Sequence, residues 1–234
     1  MTRLRATLAL LPILAVVSVS AQTVTPQTAN APAAHESLVP RRGDLLLSTG
    51  PAIGISTIAV PDSVYGNRSA TTYGGYVALD YFVTNALSLV SELTVVNMGG
   101  GTNLIATVVR RGQPVRSVVL NIPDQTLVLL DVGVRFYPLQ LTEYQNFRLQ
   151  PFAKVVIGGM FPILSATGLS ASADPCPFIR AGAGADFAFN PRWSATAEAD
   201  YYTSLTDSTI HTIGFALPTR EYGVLTTAGI RYRF

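Results

Sequence analysis

The residue types able to carry acid–base, nucleophilic or metal chemistry are few in this sequence. There are two histidines, His35 and His211, and one cysteine, Cys176. His211 lies close to Asp207, Ser208 and Thr209, so a base, an acid and hydroxyls share one segment. Nucleophilic catalysis needs the base within hydrogen-bond reach of the nucleophile and a third group to orient it. Nothing in the spacing around His211 prescribes that geometry. Cys176 stands in Asp174-Pro175-Cys176-Pro177, where Arg180 is the one nearby base that could lower a thiol pKa, and it reads as a loop residue. One cysteine allows neither an internal disulfide nor a four-cysteine zinc site. Metal-ligand spacing is absent, and the glycine patches 99–101 and Gly182/Gly184 lack the Lys-Ser/Thr that a phosphate loop requires. No catalytic residue, cofactor or metal is assigned, and the chain is expected not to be an enzyme.

A second kind of chemistry is better represented. Asp80, Glu92, Asp131, Arg135, Lys154, Arg180, Asp186, Glu198, Asp200, Arg231 and Arg233 lie inside segments in which apolar and polar residues alternate. Each occupies the face opposite the apolar one. Six acids and five bases enclosed together must be paired and hydrogen-bonded, because an isolated charge in a low-dielectric interior is prohibitively costly. Such a network is either a static structural plug or a narrow gated pore, in which pairs such as Glu92–Lys154 or Asp186–Arg180 would rearrange.

The elements that must position these charges read as strands. Of 234 residues, 48% are apolar and 13% charged, which excludes disorder for most of the chain. Arg3 and Arg5, the apolar run 6–19 and Val19-Ser20-Ala21 form the three parts of a secretory signal peptide, assigned to 1–21. Its apolar run is too short to span a bilayer. Losing Arg3 and Arg5 leaves 14 basic against 14 acidic residues, so a nucleic-acid surface is not expected. Residues 22–43 are polar with three prolines and read as a flexible periplasmic leader.

From residue 44 onward no segment is long and apolar enough for a membrane helix. The hydrophobicity is spread over eight alternating pieces: 45–56, 71–82, 87–97, 124–137, 149–160, 178–189, 192–203 and 221–234. Val128, Leu130, Val132, Val134 and Phe136, for example, oppose Gln125, Asp131, Gly133 and Arg135. A period of two with one greasy face suits strands whose outer side meets lipid. A charge on that side would cost roughly 2–4 kcal/mol near the midplane. Val90, Val96, Leu127, Leu129 and Val156 depart from the pattern by falling on the polar face, and Pro51 suggests a bulge. Connections 83–86, 138–148 and 190–191 are compact; 57–70, 98–123, 161–177 and 204–220 are long. That is the count for eight strands with both ends in the periplasm. Segments 104–109 and 115–122 are β-rich and flank a hairpin tip at 110–114. Aromatic residues gather at the short-turn end (Tyr81, Phe82, Phe136, Tyr137, Phe147, Phe152, Phe187, Phe189, Trp193, Tyr232, Phe234), as expected of an interfacial belt. A second belt would use Tyr73, Phe178, Tyr201 and Tyr222.

The final segment, Thr227-Ala228-Gly229-Ile230-Arg231-Tyr232-Arg233-Phe234, resembles the C-terminal β-signal of bacterial outer-membrane proteins. The resemblance implies that Thr227, Gly229, Tyr232 and Phe234 contact the barrel assembly machinery. Residues 44–234 as a whole resemble the small outer-membrane β-barrels of the OmpA/OmpX-like type, and the stretch from Asn121-Ile122-Pro123 to Phe136-Tyr137-Pro138 resembles the PorT-like barrel proteins. These resemblances imply an all-β, eight-stranded antiparallel up-and-down transmembrane barrel in the bacterial outer membrane, monomeric and surrounded by outer-membrane lipid. The expected function is non-enzymatic: structural, or contact and adhesion to an extracellular ligand through four long external loops. Those loops carry Tyr65, Asn67, Arg68, Arg110, Arg111 and Arg116. A narrow channel for small solutes is the first alternative. A membrane-embedded lipid-modifying enzyme is the second, although the tight His/Ser strand motif of such enzymes is missing. A soluble lipocalin-like barrel would keep the fold and reverse its two faces.

Overall fold

The computed structural model describes residues 37–59, 68–99, 102–108, 116–122, 124–142, 147–165, 172–212 and 215–234. The expected signal segment, His35, Tyr65, Asn67, Arg110, Arg111, Gly100 and Gly101 lie outside the described residues. The strands are β1 (Leu45–Ala59), β2 (Arg68–Phe82), β3 (Leu87–Met98), β4 (Thr102–Val108), β5 (Arg116–Ile122), β6 (Asp124–Phe136), β7 (Leu149–Ser165), β8 (Ser172–Ala173), β9 (Cys176–Ala188), β10 (Trp193–Ser204), β11 (Ser208–Thr212) and β12 (Phe215–Arg233). A short 3-10 turn, Pro138–Leu141, follows β6.

Eight of the strands, β1-β2-β3-β6-β7-β9-β10-β12, form an antiparallel sheet that closes when β12 pairs with β1. The other four lie beyond it: β4 and β5 make a separate hairpin, and β11 and β8 continue the sheet outward from β12. Cross-strand partners followed once round the barrel run Leu46, Asp80, Val90, Gly133, Val156, Arg180, Tyr202, Gly223 and Ser56. The circuit returns to β1 ten residues from its start. That stagger tilts the strands by about 40° and sets an interior that side chains can fill.

Pro51 introduces no bulge. Its partner on β2 is Gly75, and the β1–β12 register is the same on both sides of it, Thr49 with Ile230 and Ala52 with Thr227. The missing donor falls on the β12 side, where Gly50 and Pro51 have no ladder partner. The ladder therefore loses a rung without gaining a residue.

The period of two places opposite chemistries on the two faces. Ile53, Tyr73, Leu89, Val132, Val155, Ile157 and Val224 point outward and are exposed, whereas Asp80, Glu92, Asp131, Arg135, Lys154, Arg180 and Arg231 are buried inside. In water this arrangement would be unstable on both faces; in a bilayer the exposed wall is the favourable one. Turned inside out, as in a soluble barrel with an apolar cavity, these residues would exchange places.

The lumen is filled in layers. At the short-turn end Leu46, Phe82, Tyr137 and Phe152 make an aromatic floor, with ring centroids 5.3 Å (Phe82–Tyr137) and 5.5 Å (Tyr137–Phe152) apart. Beneath it residues 37–44 run across the mouth and bury Val39. Arg233 fastens this strap by donating to the carbonyls of Ser37 (2.8 Å) and Val39 (3.2 Å) and pairing with Asp44 (2.9 Å). At the opposite end Val96, Met98, Leu127, Leu129, Met160, Phe178 and Leu225 form an apolar stopper. The apolar residues that broke the sequence pattern thus belong to the lumen filling: Val96, Leu127 and Leu129 to the stopper, Val90 and Val156 to a smaller cluster with Tyr76 and Ala78. Phe82, Tyr137, Phe152 and Phe178, expected in the aromatic belts, are buried in the lumen instead. Adjacent aromatics such as Tyr81 and Phe82 must point to opposite faces of a strand, so only one of each pair can meet lipid.

Candidate functional site

Between floor and stopper lies a continuous ionic layer. Arg135 on β6 holds Asp80 of β2 (2.6 Å) and Glu198 of β10 (2.9 Å). Lys154 on β7 contacts Glu92 of β3 (3.2 Å), Glu198 (2.5 Å) and Asp200 of β10 (2.8 Å). Arg180 on β9 contacts Glu92 (2.7 Å), Asp131 of β6 (2.9 Å) and Asp200 (3.6 Å). Arg231 on β12 bridges Asp80 (3.1 Å) and Asp186 of β9. Hydroxyls add to the layer: Ser88 donates to Asp80 (3.2 Å), Thr94 to Glu92 (2.8 Å) and Tyr137 to Asp186 (2.9 Å), while Arg231 donates to the Tyr137 oxygen (2.8 Å). The Arg135 guanidinium also lies 4.4 Å from the Phe152 ring centroid.

Ten of the eleven charges singled out in the sequence share this network, six carboxylates with four cations. Arg233 stands apart as the strap's anchor. Glu92 meets Lys154, but Asp186 takes Arg231 rather than Arg180. The partners lie on non-adjacent strands more often than on adjacent ones, so the layer is a set of struts across the bore. Glycines make space for it. A Cβ on Gly182 would collide with the Asp200 carboxylate, and one on Gly184 would lie 2.6 Å from the Phe152 ring and 2.7 Å from Glu198 Cβ.

The other sequence candidates fall outside this layer. His211 Nε2 lies 3.1 Å from Asp174 Oδ2 on the exposed β8–β11 extension. The Ser208 hydroxyl donates to the Asp174 carbonyl oxygen (2.7 Å), so among the described residues Ser208 and His211 both turn to Asp174 rather than to each other. Cys176, expected in a loop, opens β9 and is buried in the stopper. Arg68 opens β2 and Arg116 opens β5. Thr227 faces the lumen, Gly229 leaves room for the Tyr76 hydroxyl, and Tyr232 packs between Trp193 (4.8 Å) and Phe234 (5.0 Å). A polar cluster escaped the sequence reading: Glu221 is buried among Gln125 (3.4 Å), Ser204 and the stopper residues. It is the first residue of the alternating segment 221–234, ahead of the Tyr222/Gly223 alternation used to assign the faces.

No protein-family model and no curated relative matches the sequence. Solved structures do match the fold. The outer membrane protein OprG from Pseudomonas aeruginosa is similar over 85% of this chain and 99% of its own, with a TM-score of 0.56 at 14% identity. Neisserial surface protein A, NspA, is similar over 81% and 97%, with a TM-score of 0.53 at 12% identity. The outer membrane protein AlkL, solved in lipid bilayers, is similar over 90% and 97%, with a TM-score of 0.51 at 11% identity. The chain therefore has the fold of the small, closed, eight-stranded barrels found among bacterial outer-membrane proteins.

Proposed function

We propose that this chain is an integral protein of the bacterial outer membrane, without enzymatic activity, whose plugged barrel anchors external hairpins for contact with a ligand at the cell surface. The observation that carries the reading is the sidedness of the wall: large apolar side chains exposed on the outside, and ten charges cross-braced within. A surface-contact role is supported by β4–β5 and by β8 with the β11–β12 hairpin, which extend the strands beyond the stopper. The β12 terminus, with Thr227, Gly229, Tyr232 and Phe234, is the segment offered to the barrel assembly machinery. The protein works as a monomer within outer-membrane lipid. The filled bore argues against a channel, since struts, floor and stopper lie in series along it. Planar-bilayer recording of the purified protein tests this: silence is expected, and stable conductance steps that vanish in Lys154→Ala would overturn it. Protease added to intact cells is expected to cut between β4 and β5 and to spare the 37–44 strap; cleavage at the strap alone would reverse the orientation.

A further inference from the structure

The short-turn rim carries charge that the barrel itself does not use. Arg148 and Arg192 flank the β9–β10 turn, and both are exposed. Their backbones are fixed: the Arg148 carbonyl accepts from Ala188 N (2.8 Å), and the Arg192 carbonyl accepts from Arg233 N (2.8 Å). The turn is held as well, since Asn190 Oδ1 accepts from the backbone N–H groups of Arg192 and Trp193, each at 2.9 Å. Among the described residues neither guanidinium has an ion-pair partner. Asp44, which lines the cleft beside Arg192, is already engaged by Arg233. Arg41 and Arg42 on the strap are exposed too and add to the same field. Immediately above these cations the outer wall turns aromatic: Phe147 is 57% exposed, Trp193 45% and Phe234 68%. Tyr232 packs at a tilt against Trp193 and edge to face with Phe234, and Tyr232 and Phe234 line a cleft with Pro191 and Arg192.

We propose that Arg148 and Arg192, with the Trp193–Tyr232–Phe234 ridge, form a binding site for an anionic phospholipid of the leaflet that meets the short-turn end. The two guanidiniums face the phosphodiester and the anionic headgroup, and the aromatic ridge lies against the glycerol and the first acyl carbons. An arginine offers planar paired donors to phosphate, whereas an aromatic ring is most stable at the depth where headgroup gives way to hydrocarbon. A basic residue at an anionic bilayer surface favours an anionic headgroup by about fivefold. Two such residues at one site predict enrichment of an anionic lipid over a zwitterionic one by up to about thirtyfold.

This inference rests on the membrane reading above, and the sequence provides a reporter that separates the two. Trp193 is the single tryptophan of the chain. The full-length protein is reconstituted into phosphatidylcholine vesicles containing a minor fraction of brominated phosphatidylglycerol or, in parallel, brominated phosphatidylcholine. Brominated phosphatidylglycerol is expected to quench Trp193 several-fold more at equal fraction, with the excess declining as salt is raised. Arg148→Gln/Arg192→Gln, which leaves every lumen contact intact, is expected to bring the two lipids to equal quenching. Equal quenching in the wild type, or an excess that survives the double substitution, overturns the site while leaving the membrane reading in place. No quenching by either lipid means that Trp193 does not meet acyl chains, and both readings fall together.

Discussion

Replacing Lys154 by methionine tests the ionic layer directly. Methionine has similar length and fills the same space, so the change removes a charge without opening a cavity. Lys154 Nζ lies 2.5–3.2 Å from carboxylates of Glu198, Asp200 and Glu92. After the substitution Glu198 retains Arg135 (2.9 Å) and Glu92 retains Arg180 (2.7 Å), but Asp200 keeps only a 3.6 Å approach to Arg180. Breaking one buried pair costs about 3–5 kcal/mol, mostly through the stranded partner. Since carboxylates already outnumber cations in the layer, the upper half of that range, about 4 kcal/mol, is expected. Asp200→Asn alone is expected to cost less, about 1–2 kcal/mol, because it removes charge of the sign in excess. The double variant Lys154→Met/Asp200→Asn is expected to regain about 2 kcal/mol over Lys154→Met, a coupling that separate sites would not show. Equilibrium urea unfolding in lipid vesicles, followed by Trp193 fluorescence and by the mobility of unboiled samples on gels, measures all three. A Lys154→Met barrel within about 1 kcal/mol of wild type, or a double variant no better than the sum of the singles, would refute the reasoning.

Three further outcomes are expected. Gly182→Val pushes a side chain into Asp200 and is expected to lower stability by about 2–3 kcal/mol, whereas Ala183→Val, one residue along on the lipid side, changes it by less than about 1 kcal/mol; the same unfolding assay compares them. Val132→Arg puts a charge on the exposed wall and is expected to cost about 2–4 kcal/mol, read as a lower folded fraction after refolding into vesicles. Arg233→Gln removes the strap's ion pair with Asp44, and faster hydrogen exchange at Gly43 and Asp44 is expected, with the barrel strands unaffected.

The closed sheet was legible because alternation reports directly which face meets which medium. The charges at Asp131, Arg135 and Lys154 all fell opposite the greasy face of their strands, and compact and long connections alternated in the order that places both ends together. What stayed hidden was set by the stagger of the sheet. Arg231 reaches Asp80 and Asp186 because β12 is offset against β2 and β9, and no periodicity within a strand carries that offset. The stopper was hidden for a different reason. Leu127 and Leu129 look like lapses in a polar face when read one strand at a time; they become a coherent plug only when Val96, Met160 and Phe178 arrive from other strands. Tyr81 and Phe82 show the same limit at the scale of two residues: a belt can be recognised from composition, but membership in it depends on which way each ring turns.

Of the eight barrel strands, the latest in chain order is also the one that carries Arg231. Among the described residues Asp186 forms its ion pair with Arg231, and without β12 Asp80 keeps Arg135 alone. An unfinished sheet would therefore hold stranded negative charge at its seam and keep drawing water into the bore. Zipping the two edges together supplies the missing positive charge and expels that water in the same event. Closure and desolvation become one cooperative step, so a half-built cylinder has no comfortable place to stop.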